Sequence, residues 1–286
     1  MNNNIRFLDF IKSWEYGSTF FYILIFAILI YLIGSIKLFL ISNNSNNKQI
    51  FKFFRGLIGY LFLFSALVGP ISSYESTFWV HMIQHMILIM IVPPLILSGL
   101  FFSANLWFFP RIIRIGLADY LRPKSYFRKI LNKITSPKFS LIFYVISLWT
   151  WHLPIFFNYA LDFNAIHNFE HFIFFLSGLL FWWPVLGVSI GAKKISIPIR
   201  IVYLLLAVTP TAVVAAFITL ADSVLYGENL PRLFNIEAIE DQKIGGLIMW
   251  IPGNTIFIAA LTTLFFKWSY AQSKNVNHWE CRPTEG

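Results

Sequence analysis

Five of the chain's six histidines occur in places from which their imidazole rings could bind a metal ion together. His81 and His85 form one His-x-x-x-His pair, and His167 and His171 form a second. Residues four apart on a helix are neighbours on one face, with Cβ atoms roughly 5–6 Å apart, so each pair can clamp a single ion. The fifth, His152, lies in a Trp-His-Leu-Pro sequence. This pattern predicts a metal centre, provided that folding brings the histidines to the same depth.

The elements that would position these histidines are membrane-spanning helices. The chain is 57% hydrophobic and 12% charged, whereas soluble domains carry roughly 25% charged residues. Seven apolar stretches are long enough to cross a ~30 Å hydrocarbon core as helices. The fold class predicted is therefore all-α, a polytopic membrane protein built as one seven-transmembrane helix bundle over residues 1–286. The predicted spans are 20–41, 53–71, 80–102, 139–158, 167–190, 199–221 and 244–266, followed by a tail at 267–286.

Pro93 and Pro94 fall inside the third predicted span. Proline cannot donate a backbone N–H, so we expect the pair to kink or interrupt this helix. Neighbouring helices can then satisfy the carbonyl groups that the prolines set free.

Basic residues predict the orientation of the bundle. Together with Lys37, the connections after spans one, three and five and the C-terminal tail hold 18 of the 22 Lys and Arg residues. The positive-inside rule therefore places the N-terminus outside and the C-terminus in the cytoplasm. The net charge of +9 is thus a signal of topology, and no nucleic-acid partner is expected. The most basic connection, 109–138, is predicted to be a surface segment with one amphipathic helix. It would contact either the anionic headgroups of membrane lipids or a partner protein.

This topology brings the five histidines near the outer membrane face. Spans three and five run inward, so His81, His85, His167 and His171 lie in their first turns. Span four runs outward, so His152 near its end reaches the same depth. Ionisable side chains inside spans are costly and usually functional. We therefore predict that the four paired histidines are metal ligands, with His152 next in order.

Nearby sulfur atoms favour copper among the metals. Met82 and Met86 continue with Met90 as a stripe beside the first histidine pair, and Met249 lies near the outer end of span seven. Thioether and imidazole without thiolate suit copper, particularly Cu(I), better than magnesium or calcium. The alternative interpretation of such a stripe is apolar packing.

Two carboxylates are weaker candidates for the same centre. Glu170 directly precedes His171 and could bind the metal, orient a histidine or act as a base. Asp241, at the outer mouth of span seven, could close the site or cap a helix, since Asp favours helix N-termini.

Several motifs taken together resemble the CtaG-like proteins that assemble caa-type cytochrome c oxidases. In family order they are His81-Met82-Ile83-Gln84-His85 with Pro93-Pro94-Leu95 and Gly99, Trp151-His152-Leu153-Pro154, His167-x-x-Glu170-His171, Phe181-Trp182-Trp183-Pro184, and Asp241-Gln242-x-x-Gly245-Gly246-Leu247-Ile248-Met249-Trp250. The resemblance covers about residues 55–266. It implies a role in maturing a haem–copper oxidase by placing copper, with an oxidase subunit and a periplasmic copper chaperone as partners. The expected location is the bacterial cytoplasmic (inner) membrane.

Two other functions remain open at this point. His167-x-x-Glu170-His171 has the order of the inverted zinc-peptidase motif, which would make the protein a membrane-embedded zinc hydrolase with Glu170 as its base. Haem ligation is the other, and it needs imidazoles that face each other from different helices. Copper assembly without enzymatic activity is the leading prediction.

Overall fold

The computed structural model describes residues 12–41, 47–122, 124–188, 195–227 and 232–280, and for 274–280 it describes the backbone alone. Within these ranges the chain is helical and has no β-strand. A π-helical turn spans Ile87–Ile91, and a 3-10 turn spans Leu233–Asn235. The α-helices, numbered α1 to α13 in chain order, are Thr19–Ile41, Asn47–Leu67, Pro70–Ser73, Phe78–Met86, Val92–Ser98, Phe101–Phe108, Arg111–Tyr120, Tyr126–Ile134, Pro137–Trp151, Pro154–Asp162, Asn164–Leu186, Ile197–Thr219 and Ala238–Glu280.

The described helices provide six to seven membrane spans. A seventh span exists if the bent pair α9 and α10 crosses the membrane as one unit. The all-α, polytopic fold class is therefore confirmed, and the chain is a multi-pass membrane protein. The six continuous spans are Thr19–Ile41, Asn47–Ser73, Phe78–Ser98, Asn164–Leu186, Ile197–Thr219 and Ala238–Ser273.

The third span is interrupted as the two prolines predict. A π-helical turn joins α4 to α5 immediately before Pro93. Because Pro93 has no N–H, the carbonyl of Ile89 loses its helical partner. The indole Nε1 of Trp182, on α11, donates to that carbonyl oxygen at 3.0 Å. Gly178, one turn earlier on α11, allows this approach, since a Cβ there would lie 2.7 Å from Pro93 Cγ and 2.8 Å from the Ile89 oxygen.

The prediction of one continuous fourth span over 139–158 is wrong. Helix α9 ends at Trp151, and α10 begins at Pro154 with an axis bent by 71° from that of α9. Proline is favoured in the first turn of a helix and cannot continue a preceding one. As a result His152 lies at the C-terminal cap of α9, in the corner between the two helices.

The predicted ends of two other spans also differ from the structure. The third was expected to reach residue 102, but α5 ends at Ser98 and Gly99 adopts an extended conformation. The separate helix α6 then packs against α1, where Gly34 lies directly against the carbonyl of Ala104. The seventh span continues as helix to Glu280, so most of the predicted tail extends α13, and 281–286 lie outside the described residues.

The basic connection 109–138 folds differently from the single amphipathic helix that was predicted. It forms two short helices, α7 and α8, neither of which has a buried residue. Apolar side chains such as Ile112 and Tyr126 are exposed on these helices. Both therefore present basic and apolar groups at the surface.

The main apolar core lies between the helices that carry the histidines and the last two spans. Phe174 and Phe181 of α11 and Phe257 of α13 are fully buried in it. A buried hydrogen bond of 2.9 Å between Tyr144 and Thr211 ties α9 to α12. These contacts fix α4, α9 and α11 relative to one another, and those helices hold the candidate site.

Candidate metal centre

The structure brings the five predicted histidines together at one end of the bundle. The imidazole centroids of His81 and His85 are 4.2 Å apart, and those of His167 and His171 are 4.1 Å apart. His81 is 5.1 Å from His167, so the two pairs face each other across the α4–α11 interface. His152 joins the group through His85, at 5.8 Å. We call these five residues the histidine cluster, and all of them are buried.

The helix that carries the first pair is fixed at its start by Asp241. The two carboxylate oxygens of Asp241 accept the backbone N–H groups of Phe78 and Trp79 at 3.0 and 2.9 Å. Arg232 pairs with the same carboxylate at 3.1 Å. Asp241 is therefore a helix cap that positions His81 and His85, and the structure does not place it among the imidazole nitrogens.

Glu170 lies inside the histidine cluster. Its side chain is fully buried, with Oε2 3.9 Å from His81 Nε2 and Oε1 3.5 Å from His85 Nε2. Two groups of three residues could each hold a metal ion. Within each group every residue offers one ligand atom, and the three atoms lie within 4.8 Å of one another. The groups are His81, His85 and His171, and His81, His167 and Glu170. This spacing would allow nitrogen and oxygen atoms from α4 and α11 to surround one ion.

Hydrogen bonds turn the imidazoles so that their Nε2 atoms face inward. His81 Nδ1 lies 3.2 Å from the carbonyl oxygen of Glu75, and His152 Nδ1 lies 2.7 Å from that of Leu148. A carbonyl can only accept, so each Nδ1 carries the proton and each Nε2 keeps its lone pair. His167 Nδ1 lies 3.3 Å from a carboxylate oxygen of Glu75. Metal-binding histidines commonly make such contacts through the other ring nitrogen.

The atoms that face inward have no hydrogen-bond partner among the described residues. They are eight buried atoms, namely both nitrogens of His85, both carboxylate oxygens of Glu170, and Nε2 of His81, His152, His167 and His171. Leaving a buried polar group unpaired costs about 1–3 kcal/mol, so such groups are rare and seldom adjacent. The ligand atoms within each of the two groups of three lie close enough together for one cation to satisfy them.

A polar cavity of about 210 Å³ connects the surface to the second histidine pair. Its walls include the exposed residues Glu15, Asn164 and Asn168, and His167 and His171 lie at its buried side. We call it the acidic vestibule. Burial, together with the neighbouring charge of Glu15, raises the pKa of the Glu75 carboxyl in its wall to about 8.

The predicted methionine stripe divides into two environments. Met82 is fully buried and packs against α13, where a Cβ on Gly245 would lie 3.1 Å from Met82 Cγ. Met86 and Met249 instead line a small cavity that His85 and His152 also border.

The connection before α13 packs against residues of the centre. Tyr226 donates to the backbone oxygen of His152 at 2.6 Å and stacks on Phe78 at a centroid distance of 4.6 Å. Gln242 accepts the N–H of Leu225 at 2.7 Å and so holds this connection against α13. The described part of the connection therefore packs beside His152 and the start of α4.

Glu75 is a candidate site residue that the sequence alone did not indicate. It contacts two histidines, through its backbone oxygen and its carboxylate. The available signal was an acid in the short connection immediately before the span that carries His81.

Comparison with known proteins agrees with this architecture. A family model for cytochrome c oxidase caa3 assembly factors matches residues 24–271. An uncharacterized protein of Mycobacterium leprae is 24% identical over 271 residues, which cover 91% of this chain and 40% of that protein. Uncharacterized proteins of Mycobacterium bovis and Mycobacterium tuberculosis are each 27% identical over 231 residues, covering 74% of this chain and 34% of theirs. The chain thus spans less than half of these relatives, and no solved structure matches it. With most of its length matched by the family model, the chain belongs to the cytochrome c oxidase caa3 assembly factor (CtaG) family.

Proposed function

We propose that this protein binds copper at the histidine cluster and supplies it to a subunit of a haem–copper oxidase during assembly. The family to which it belongs is that of cytochrome c oxidase caa3 assembly factors. Copper is here a cargo that the protein passes on, with the oxidase subunit as acceptor and a copper chaperone as donor. No enzymatic step is required of the protein itself.

The observation that carries this proposal is the set of eight buried, unpaired nitrogen and oxygen atoms on the histidine cluster and Glu170. Six of them are imidazole nitrogens, which suit zinc, copper, iron and nickel, and none is a thiolate. Transfer rather than storage is supported by the acidic vestibule, which leads to His167 and His171 from exposed residues. Copper is chosen among these metals because the family assembles a copper-containing enzyme.

The geometry favours a bare ion over haem. The acidic vestibule, at about 210 Å³, is below the ~300–1,000 Å³ of pockets that hold drug-sized ligands. The imidazole rings that contact one another have centroids 4.1 to 5.8 Å apart, so no porphyrin fits between the members of these pairs. Glu170 faces His81 and His85, as a ligand of a shared ion would.

The proposed orientation puts the histidine cluster on the outer side of the membrane. It rests on the distribution of Lys and Arg, because the basic helices α7 and α8 lie in the connection that follows the third span and cytoplasmic connections are rich in Lys and Arg. The acidic vestibule then opens to the outside, where a copper chaperone and the oxidase subunit would meet it.

The test measures metal in protein purified in detergent without a chelating resin. Inductively coupled plasma mass spectrometry is applied to the wild type and to a His81→Ala/His85→Ala/His167→Ala/His171→Ala variant. We expect copper in the wild type and its loss in the variant. The sixth histidine offers a matched control, since it lies near the far end of α13, and His278→Ala should retain copper.

Cells that carry the same variants give the second readout. The copper content and spectrum of the assembled oxidase should fall with the quadruple variant and stay normal with His278→Ala. A wild-type protein that binds no copper, even when loaded with Cu(I), would refute the proposal. The zinc hydrolase would replace the copper proposal under two conditions. The purified protein would have to contain one zinc ion per chain, and Glu170→Gln would have to abolish a hydrolytic activity while the zinc is retained.

A further inference from the structure

Three methionines and two histidines enclose a small cavity beside the histidine cluster. Met86 and Met90 of the third span, Met249 of α13, and His85 and His152 all line it. Its volume is about 10 Å³, close to the space that a single water or ion occupies. We call this cavity, which four further residues also line, the methionine pocket.

Packing alone does not explain the composition of this pocket. The chain has five methionines, and three of the four within the described residues meet here, on two separate helices. The two hydroxyl groups in the lining are already engaged, since Tyr144 bonds to Thr211 at 2.9 Å and Thr211 donates to Ala207 at 2.8 Å. Among the described lining residues, the methionine sulfurs and the unpaired nitrogens of His85 and His152 remain as candidate electron-pair donors.

Both histidines of the pocket have a buried ring nitrogen without a hydrogen-bond partner among the described residues. His152 Nδ1 donates to the Leu148 carbonyl at 2.7 Å, so its Nε2 holds a lone pair, and that atom is buried without a partner. His85 contributes to both places, because its Nε2 is 3.5 Å from Glu170 while its ring also lines the methionine pocket. The pocket is thus contiguous with the histidine cluster through His85.

We propose that the methionine pocket is a second metal site of this protein, specific for Cu(I). Thioether sulfur and neutral imidazole are soft donors that select Cu(I) over divalent ions. No carboxylate lines the pocket, and the remaining walls are mostly apolar. Moving an ion out of water costs more as its charge rises, so an uncharged donor set in apolar surroundings favours a monovalent ion.

The two sites therefore differ in the ion that they prefer. The site around Glu170 carries a carboxylate and can hold Cu(I) or a divalent ion, whereas the methionine pocket suits Cu(I) alone. His85 lies at the boundary between them, so an ion could pass from one to the other without leaving the protein. This inference rests on the proposed function for the identity of the cargo, and it adds a second site, its donor atoms and its oxidation state.

The experiment loads full-length protein in detergent with Cu(I) under reducing, oxygen-free conditions. X-ray absorption at the copper edge reports sulfur neighbours, and mass spectrometry reports copper per chain. The variant Met86→Leu/Met90→Leu/Met249→Leu conserves side-chain volume, and such exchanges usually cost less than ~1.5 kcal/mol each. Met82→Leu is the matched control, because Met82 packs against Gly245 outside the pocket.

We expect sulfur scattering in the wild type and in Met82→Leu, and its loss from the triple variant together with one of the two bound copper ions. Copper bound only by nitrogen and oxygen in the wild type would overturn the second site and leave the proposed function standing. Equal copper content and equal spectra in the triple variant would overturn it as well. If the triple variant fails to fold, the wild-type spectrum decides the question alone. Absence of any copper from the wild type would instead refute the proposed function.

Discussion

Replacing Glu170 by Gln is expected to weaken copper binding strongly while leaving the fold in place. Glu170 is the one acidic residue in the two groups of closely spaced ligand residues described above. Gln has nearly the same shape and keeps one carbonyl oxygen, so the substitution removes charge with little change in packing.

The size of the effect follows from the distances in the centre. Glu170 Oε2 is 3.9 Å from His81 Nε2, and metal–imidazole bonds are ~2 Å long, so an ion on that nitrogen lies at most about 6 Å from the carboxylate. At an effective dielectric constant of ~20, one charge pair at about 4–6 Å is worth roughly 3–4 kcal/mol. We therefore expect the Kd for Cu(I) to rise by about 10²- to 10³-fold.

The assay is competition for Cu(I) against a chromogenic chelator in detergent solution. It is run in the Met86→Leu/Met90→Leu/Met249→Leu background, so that only the site around Glu170 is measured, with Glu240→Gln as the matched control. Glu240 is an exposed acid in the first turn of α13, and its replacement should change the Kd less than threefold. A Glu170→Gln variant whose Kd stays within threefold of the wild type would show that the carboxylate does not face the bound ion. Unchanged affinity with loss of a hydrolytic turnover would identify Glu170 as a base.

Two further predictions concern stability and are read as apparent Tm by thermal unfolding. Asp241→Asn removes the charged acceptor that caps α4 and pairs with Arg232, which should lower the free energy of unfolding by about 2–4 kcal/mol and lower the Tm. Asp222→Asn, at an exposed position, is the control and should leave the Tm unchanged. Equal Tm values in the two variants would contradict the capping role. Trp182→Phe removes the donor to the Ile89 carbonyl and should cost about 1–3 kcal/mol. Trp183→Phe is its control, because the Trp183 Nε1 has no partner among the described residues, and equal losses in the two variants would refute the reasoning.

Convergence of the histidines was predictable because it depends only on depth and direction. Alternating spans of known length place His81 and His167 in the first turns of parallel helices, and His152 at the end of an antiparallel one. The Pro93 interruption was predictable for an equally local reason, the missing N–H. The donor to the freed Ile89 carbonyl was not predictable, because the rotation of α11 about its axis decides that Trp182 faces that carbonyl.

The remaining differences have similar causes. The break before Pro154 is visible in the sequence as a proline that can start a helix, but its 71° angle depends on packing. The grouping of Met86, Met90 and Met249 depends on the π-helical turn, which changes the angular spacing of residues along the third span, and on how α13 is rotated. A capping role was one of the two predicted for Asp241, but that it caps α4 and not its own helix depends on tertiary packing.

The helix ends beside the histidine cluster should give a bound ion different residence times at His152 and at His167. His152 lies at the C-terminal end of α9, where the backbone dipole carries partial negative charge, and His167 lies in the first turn of α11, where it carries partial positive charge. The dipole stabilises a cation at the C-terminal end, and destabilises one at the N-terminal end, by about 0.3–1 kcal/mol each. The N-terminal cap of α11 makes no side-chain hydrogen bond that would offset this repulsion. The two ends together amount to about 0.6–2 kcal/mol. An ion should therefore dissociate about 3- to 30-fold faster from the His167 side, beside the acidic vestibule, than from the His152 side, so the backbone itself biases release toward the surface.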